Sequence, residues 1–442
     1  MFTLAISNVY TMSTHALNDK KIIRAWAIFD WANSAYSLVI STAIFPIYFI
    51  AYTPEIITLG GIQFTNAALY SFAVTFSYVI IACLSPILSG IADYSGRRKF
   101  FLHMFTLIGS IACMILYLFK GEPQLWLATT MFILATVGFS GSLVFYDSFL
   151  PLIVTEDRYN SVSAKGFTYG YIGSVILLIA ILLMGNKPEW FGFADSQGAY
   201  RLGFLMVGIW WVGFAQYTLR FLPKDKRTAF TEKIISNGFN ELKKAFRQVW
   251  QNKNIVMFLT SYFFYSAGVQ TVIYLATVFA SKELGFESTE LIIIVLLLQL
   301  VAIVGAYLFS LLGNVRGNRL SIMIMLVIWI GICIGAYYTQ SKSFFYFLAV
   351  MVGMVMGGIQ SLSRASFSSL ITEKSDTTSF FSLMDVIYKG AIVTGTFLFG
   401  LAENLTGNMR NSVLVLGCLF LIGLFFMQKT WLPVPNQKHQ SG

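Results

Sequence analysis

Long apolar runs alternate with short polar segments along the whole chain. The runs fall near 25–52, 67–91, 100–119, 124–153, 166–184, 200–221, 254–280, 290–312, 319–339, 343–371, 379–402 and 411–430. As helices they match the bilayer core, which takes about 20 mostly apolar residues to cross. The pattern predicts an all-α polytopic membrane protein with twelve transmembrane helices. One connection breaks the rhythm. Residues 222–253 are long, basic and amphipathic, with Phe239, Leu242, Phe246 and Val249 at i, i+3, i+7 and i+10, the spacing of one helical face. A helix lying on the membrane surface is expected there, with a solvated linker as the alternative. It divides the spans six and six and gives three units: a bundle over 1–221, a linker over 222–253 and a bundle over 254–442.

The halves carry weak internal similarity. Phe149–Glu156 (FLPLIVTE) at the end of the fourth run resembles Phe367–Glu373 (FSSLITE) at the end of the tenth, and Ser34-Ala35 resembles Ser266-Ala267. Two pseudo-symmetric six-helix bundles are therefore expected, the plan of an alternating-access transporter with its site between two rocking halves.

Composition agrees with lipid as the main solvent. Of 442 residues, 57% are hydrophobic and 11% charged, against about 25% charged in ordinary soluble domains. The net charge of +10 does not point to nucleic acid. The basic residues sit between apolar runs, and only Lys120, Lys187, Arg201, Lys282, Lys342 and Arg410 fall on the side away from the termini. The positive-inside rule then predicts cytoplasmic termini, in a cell inner or plasma membrane. The N-terminus shows no basic n-region or small-residue cleavage site, so no signal peptide is expected. Met12 is an alternative start. Cys83, Cys113, Cys333 and Cys418 lie inside apolar runs and read as small buried hydrophobes. His15, His103 and His439 are scattered, which argues against a metal or general-base cluster. No Gly-Lys-Ser/Thr follows the glycine-rich stretches 166–173 and 353–358, so they are read as close helix contacts rather than phosphate loops. Tyr146-Asp147 matches half of an intramembrane aspartyl protease pair, but the Gly-x-Gly-Asp partner is missing. No enzyme and no cofactor is expected.

The candidate chemistry lies inside the membrane. In the first run Asp30, Asn33, Ser34 and Ser37 share one helical stripe. A charge at membrane depth costs at least about 2.5–3.5 kcal/mol, so the stripe must face other helices or a wet cavity. Asp147, Arg364, Asp385 and Lys389 are the other buried charges, all in the half of the membrane nearer the termini. Asp385 and Lys389 are i, i+4 and can pair on one helix. A gate is expected in which Asp30 or Asp147 bonds across the halves to Arg364 or Lys389. Each charge being satisfied within its own half is one alternative; an acid binding a coupling proton, or Arg364 binding a substrate carboxylate, is another. Gln270, Thr271, Gln299, Gln360, Asn33 and Ser37 are candidate polar contacts for a zwitterion, with Tyr36, Tyr262, Phe263 and Phe264 shaping the pocket.

The loop Ser89-Gly90-Ile91-Ala92-Asp93-Tyr94-Ser95-Gly96-Arg97-Arg98-Lys99 resembles the signature loop of the major facilitator superfamily between spans 2 and 3. Asp93, Gly96, Arg97 and Arg98 match it; Ser89 and Tyr94 depart from it. The equivalent Gly313–Leu320 keeps glycines and arginines but has no acid. A conformational latch is expected, with Asp93 accepting from helix-end amides and from Arg97. Further stretches are similar to the branch that includes fungal vacuolar amino-acid effluxers linked to autophagy: Asp30–Tyr36, Phe145–Pro151, Gly357–Arg364, and Asp385 with Lys389, Met384 standing where an aromatic is usual. The resemblance implies the major facilitator fold and export of an amino acid or related small polar solute. A monomer in the lipid bilayer is expected, with H+ as the expected coupling ion. A transporter of another metabolite or drug-like class is the first alternative. A transport-dead sensor or lipid scramblase is the second.

Overall fold

The computed structural model describes residues 16–59, 62–225, 234–371 and 373–433. Met12, His15 and His439 lie outside the described residues, as does 226–233 of the linker. Among the described residues, twelve helices are long and apolar enough to cross a membrane. Spans 1 to 6 are Lys20–Ala51, Asn66–Ser95, Arg98–Leu118, Glu122–Ile153, Glu156–Asn186 and Ser196–Phe221. Spans 7 to 12 are Lys253–Leu284, Glu290–Arg316, Asn318–Tyr338, Lys342–Leu370, Lys374–Thr406 and Met409–Lys429. A two-stranded hairpin, β1 (Ile56–Leu59) antiparallel to β2 (Ile62–Thr65), joins spans 1 and 2. One apolar core is built almost wholly from residues 22–222 and a second mainly from 245–432, the two-bundle plan the halves predicted.

Two spans break where the site needs it. Span 1 is α-helical over Lys20–Ala35 and then widens into a π-helical stretch, Tyr36–Ala43. The amide of Ile44 bonds back five residues to Val39 (2.9 Å). Pro46 has no amide to bond the carbonyl of Thr42, and its ring crowds it; the Thr42 hydroxyl turns back to the carbonyl of Ser37 (2.9 Å). Span 4 runs as helix to Asp147, breaks at Ser148-Phe149 and resumes at Leu150–Ile153. Pro151 is the cause: an amide there would have bonded the carbonyl of Asp147. Both spans 4 and 10 then pass through a short 3₁₀ turn, Glu156–Arg158 and Lys374–Asp376, as their sequence similarity suggested.

The linker helix, Ile234–Gln251, forms as expected, but its faces are corrected. Gly238, Ala245 and Val249 are buried against the bundle, and Gly238 lies against Gly90 and Ile91 of span 2. Phe239, Phe246 and Trp250 are the exposed stripe. The apolar spacing therefore served two partners: Val249 belongs to the protein side, Phe239 and Phe246 to the outer one. Cys113 and Cys333 are buried and Cys83 and Cys418 exposed within their spans, all four free.

Candidate functional site

The loop between spans 2 and 3 sits on the terminal face, where span 1 begins and span 12 ends. Gly96 ends span 2 with φ 67°, its amide bonding the carbonyl of Ala92; only glycine takes this left-handed conformation without strain. Asp93, in the last helical turn before this cap, reaches across to the other half. Its carboxylate accepts from the amides of Ser379 (2.7 Å) and Thr378 (3.3 Å) at the start of span 11, and from the Ser379 hydroxyl (2.8 Å). A carboxylate on a helix N-terminus satisfies its free amides and complements its dipole. The guanidinium on Asp93 is that of Arg98 (2.8 Å), where the sequence pointed to Arg97. Arg98 also donates to the Thr378 hydroxyl (2.9 Å) and the carbonyl of Ser375. In the equivalent position of the second half, Asn318 and Asn160 exchange two amide bonds (2.6 and 2.8 Å), and Asn160 also donates to Asn314 (3.0 Å). Polar contacts thus zip the two halves together on this face.

Behind the zip lies a cavity of about 300 Å³ between the halves, at the small end of ligand pockets. All ten candidate binding residues border it: Asp30, Asn33, Ser37, Asp147, Gln270, Gln299, Gln360, Arg364, Asp385 and Lys389. Ser34, Ser266, Tyr36 and Tyr262 border it too. Thr271 does not: its hydroxyl bonds the carbonyl of Ala267 (2.7 Å) and it faces an apolar pocket inside the second half. Phe263 and Phe264 are not on the wall.

Arg364 forms the floor. Its Nε donates to the Ser163 hydroxyl (3.0 Å). One terminal nitrogen donates to Asp30 (3.2 Å) and Asp147 (3.0 Å), the other to Asp30 (3.2 Å) and the carbonyl of Ser163 (2.9 Å). All five guanidinium N–H donors are engaged, every one by the first half. The rings of Trp26 and Phe167 flank the cation at 4.7 and 4.3 Å, the cation–π arrangement that suits Arg. Asp30 is further fixed by the Tyr146 hydroxyl (2.8 Å). Gly166 leaves room for the bridge, since a Cβ there would meet Asp30 at 2.4 Å and Arg364 at 2.8 Å.

Lys389 is not a partner across the halves in this state; it pairs with Asp385 on its own helix, as the i, i+4 spacing allows. That leaves donors on Lys389 facing the cavity. Gln360 accepts from Tyr171 (2.7 Å), tying span 10 to span 5. The Asn33 amide nitrogen is buried at the wall with no protein partner. Ser163, Trp26 and Phe167 were not legible as site residues: a serine or an aromatic in an apolar run gives no signal without its neighbours. No group of three or more His, Cys, Asp or Glu able to hold a metal occurs among the described residues.

Residues 18–442 match the family model described as "Vacuole effluxer Atg22 like". An uncharacterized MFS-type transporter, YxiO of Bacillus subtilis, is 33% identical over 94% of this chain and 97% of its own. Autophagy-related protein 22 of Saccharomyces cerevisiae is 24% identical over 81% of this chain and 77% of its own. Among solved structures, the outward-conformation FucP transporter superposes with a TM-score of 0.69 at 12% identity, covering 92% of this chain and 97% of that one. The human organic anion transporter MFSD10 gives 0.70 at 10% identity, over 93% and 100%. These last two speak for the fold. With the zipped face, the cavity between halves and a family match over nearly its full length, the chain belongs to the Atg22-like family of major facilitator superfamily transporters.

Proposed function

We propose that the protein exports a small zwitterion, an amino acid or a close relative, by rocking its halves about the cavity, with proton coupling and with the zipped face on the cytoplasmic side. The observation that carries this reading is Arg364, held at the cavity floor by five bonds to the opposite half. Removing one partner of a buried pair costs about 3–5 kcal/mol, enough to swing a two-state equilibrium. With Arg364 saturated, the substrate carboxylate goes to Lys389, which has donors to spare. The ammonium goes to Asp385 and Asp147; Asp147 engages Arg364 through Oδ1 and keeps a quarter of its side chain exposed. Protonation of Asp147 or Asp30 removes negative charge from around Arg364 and loosens the gate. Proton entry and gate opening are thereby one event.

The test is a double-mutant cycle on transport in vesicles under an imposed pH gradient, with an amino-acid panel as substrates. Asp30→Asn with Arg364→Gln, and Asp147→Asn with Arg364→Gln, are expected to couple by more than about 1 kcal/mol; coupling below about 0.5 kcal/mol in both removes the gate. No counterflow of any panel member in the parent protein removes the substrate assignment.

A further inference from the structure

A second cavity, of about 830 Å³, opens on the terminal face between the start of span 3 and the end of span 6, away from the transport pathway. Lys99 and His103 lie one turn apart on span 3, and Gln216 and Arg220 one turn apart on span 6; Lys224 closes the rim. Two helices thus present polar pairs to one cleft. We propose that this cleft binds a phosphate group, and that its carrier is an anionic phospholipid.

Charge comes first. Three basic side chains, Lys99, Arg220 and Lys224, share the cleft with a single acid, Asp225. That acid is already engaged: its two oxygens accept from the amides of Lys99 (2.8 Å) and Phe100 (2.9 Å), capping span 3. Lys99 gives one bond to the carbonyl of Leu222 (3.1 Å) and has two donors left. Arg220 stands over the Phe221 ring at 5.7 Å, and neither it nor Lys224 makes an ion pair among the described residues. Like charges gathered in one cleft repel unless an anion joins them. Phosphate, with acceptors on several sides, fits cations approaching from two helices.

Depth decides the carrier. The cleft is formed by the first turn and a half of span 3 and the last turn and a half of span 6, about 8 Å of rise at a helix end. That is headgroup level in a bilayer. Leu219 and Phe100 give the cleft apolar walls, suited to a glycerol backbone and the first acyl carbons. A bound headgroup would tie span 3, which starts at the latch residue Arg98, to the linker entry at Leu222–Asp225.

The experiment uses the full-length protein in neutral detergent. Thermal unfolding is titrated with phosphatidylglycerol, phosphatidylcholine or inorganic phosphate, for the parent and for Arg220→Gln/Lys224→Gln. Lys243→Gln/Arg247→Gln on the linker helix is the control. Phosphatidylglycerol is expected to raise the melting temperature and phosphatidylcholine is not. Each cation that meets the anionic headgroup is worth about fivefold in lipid affinity, so the double variant should shift the half-saturating concentration by about 25-fold, and the control, whose cations lie outside the cleft, by less than twofold. Equal stabilisation by phosphatidylcholine, or an unchanged response of the double variant, overturns the site. Inorganic phosphate matching phosphatidylglycerol at equal concentration overturns the lipid as carrier. Should the double variant fail to fold, native mass spectrometry of Lys224→Gln gives the same decision: fewer retained phosphatidylglycerol molecules than the parent supports the site, equal numbers sink it.

Discussion

Gly166→Ala probes the proposed gate without changing any charge. The new methyl would stand 2.4 Å from Asp30 Oδ2, 2.8 Å from a terminal nitrogen of Arg364 and 3.0 Å from the Trp26 ring. Ordinary contact begins at 3.4 Å, so the Asp30 oxygen must retreat. That oxygen takes two of the five Arg364 bonds, each already 3.2 Å long, and a retreat breaks both. Hydrogen bonds to charged groups contribute about 1.5–3 kcal/mol each. The closed state is therefore weakened by about 3 kcal/mol, roughly a 100-fold change in the ratio of closed to open molecules. The helix gain of alanine over glycine, about 1 kcal/mol, acts on both states and cancels. The assay is a spin-label distance across the terminal face, between Ser161→Cys on span 5 and Val315→Cys on span 8, both exposed and on opposite halves, with Cys83 and Cys418 replaced by serine. A long-distance population is expected to dominate in Gly166→Ala. Adding Asp30→Asn should then shift little further, because the bond it removes is already lost. A distance distribution like the parent's, with transport at the parent's rate, would refute the reasoning.

Three further outcomes are expected. Asp93→Asn removes the carboxylate from the start of span 11 and from Arg98, so the terminal face should open more often at that edge, by about 1–2 kcal/mol, read by labels at Tyr94→Cys on span 2 and Ser375→Cys on span 11, both exposed. Lys389→Met should raise KM for the proposed zwitterionic substrate at least tenfold, whereas Lys389→Arg keeps most of the affinity; equal KM values for both variants and the parent would exclude Lys389 as the carboxylate partner. Lys244 bridges the linker helix to Glu373 (2.8 Å) and Asp376 (3.0 Å), but it is half exposed, so Lys244→Gln should cost less than about 1 kcal/mol in thermal unfolding. Its pH window follows from the signs. Hydrogen bonding to Glu373 holds Lys244 above the ordinary lysine range, and Lys244 in turn holds the Glu373 carboxyl below its own. The raised lysine contributes below its unfolded pKa near 10 and loses this as pH rises through its folded value. The depressed carboxyl contributes above about 4 and loses this as pH falls. The difference between variant and parent should hold between about pH 5 and 10 and shrink outside.

The spans were legible because lipid leaves little choice: a run such as Leu291–Leu312 has nowhere else to go. Asp30 was legible for the same reason, as a carboxylate in such a run needs a partner. Which partner was harder. Arg364 and Lys389 carry the same charge, and spacing alone allowed both to reach the acids of the first half. Geometry separates them, since Lys389 finds Asp385 one turn away while Arg364 lies against Ser163 and Asp30. Arg97 and Arg98 are adjacent, and the choice between them at Asp93 rests on how Gly96 turns the chain. The linker helix misled through its periodicity: apolar residues at helical spacing report that a face is covered, not by what. Ser163 and Gly166, central to the floor of the cavity, leave no trace in an apolar stretch until Arg364 is set beside them.

The two ends of the zip answer differently to solution conditions. Asp93 and Arg98 make an ionic contact whose Arg98 end keeps 16% of its side chain exposed, and ionic contacts that water reaches weaken as electrolyte rises. The Asn160–Asn318 pair is neutral and buried, and salt does not alter an amide. A transporter closed by both should keep one edge shut while the other loosens, so that at high salt this side would gape from the span 2–span 11 edge, as a door does from the side without the hinge.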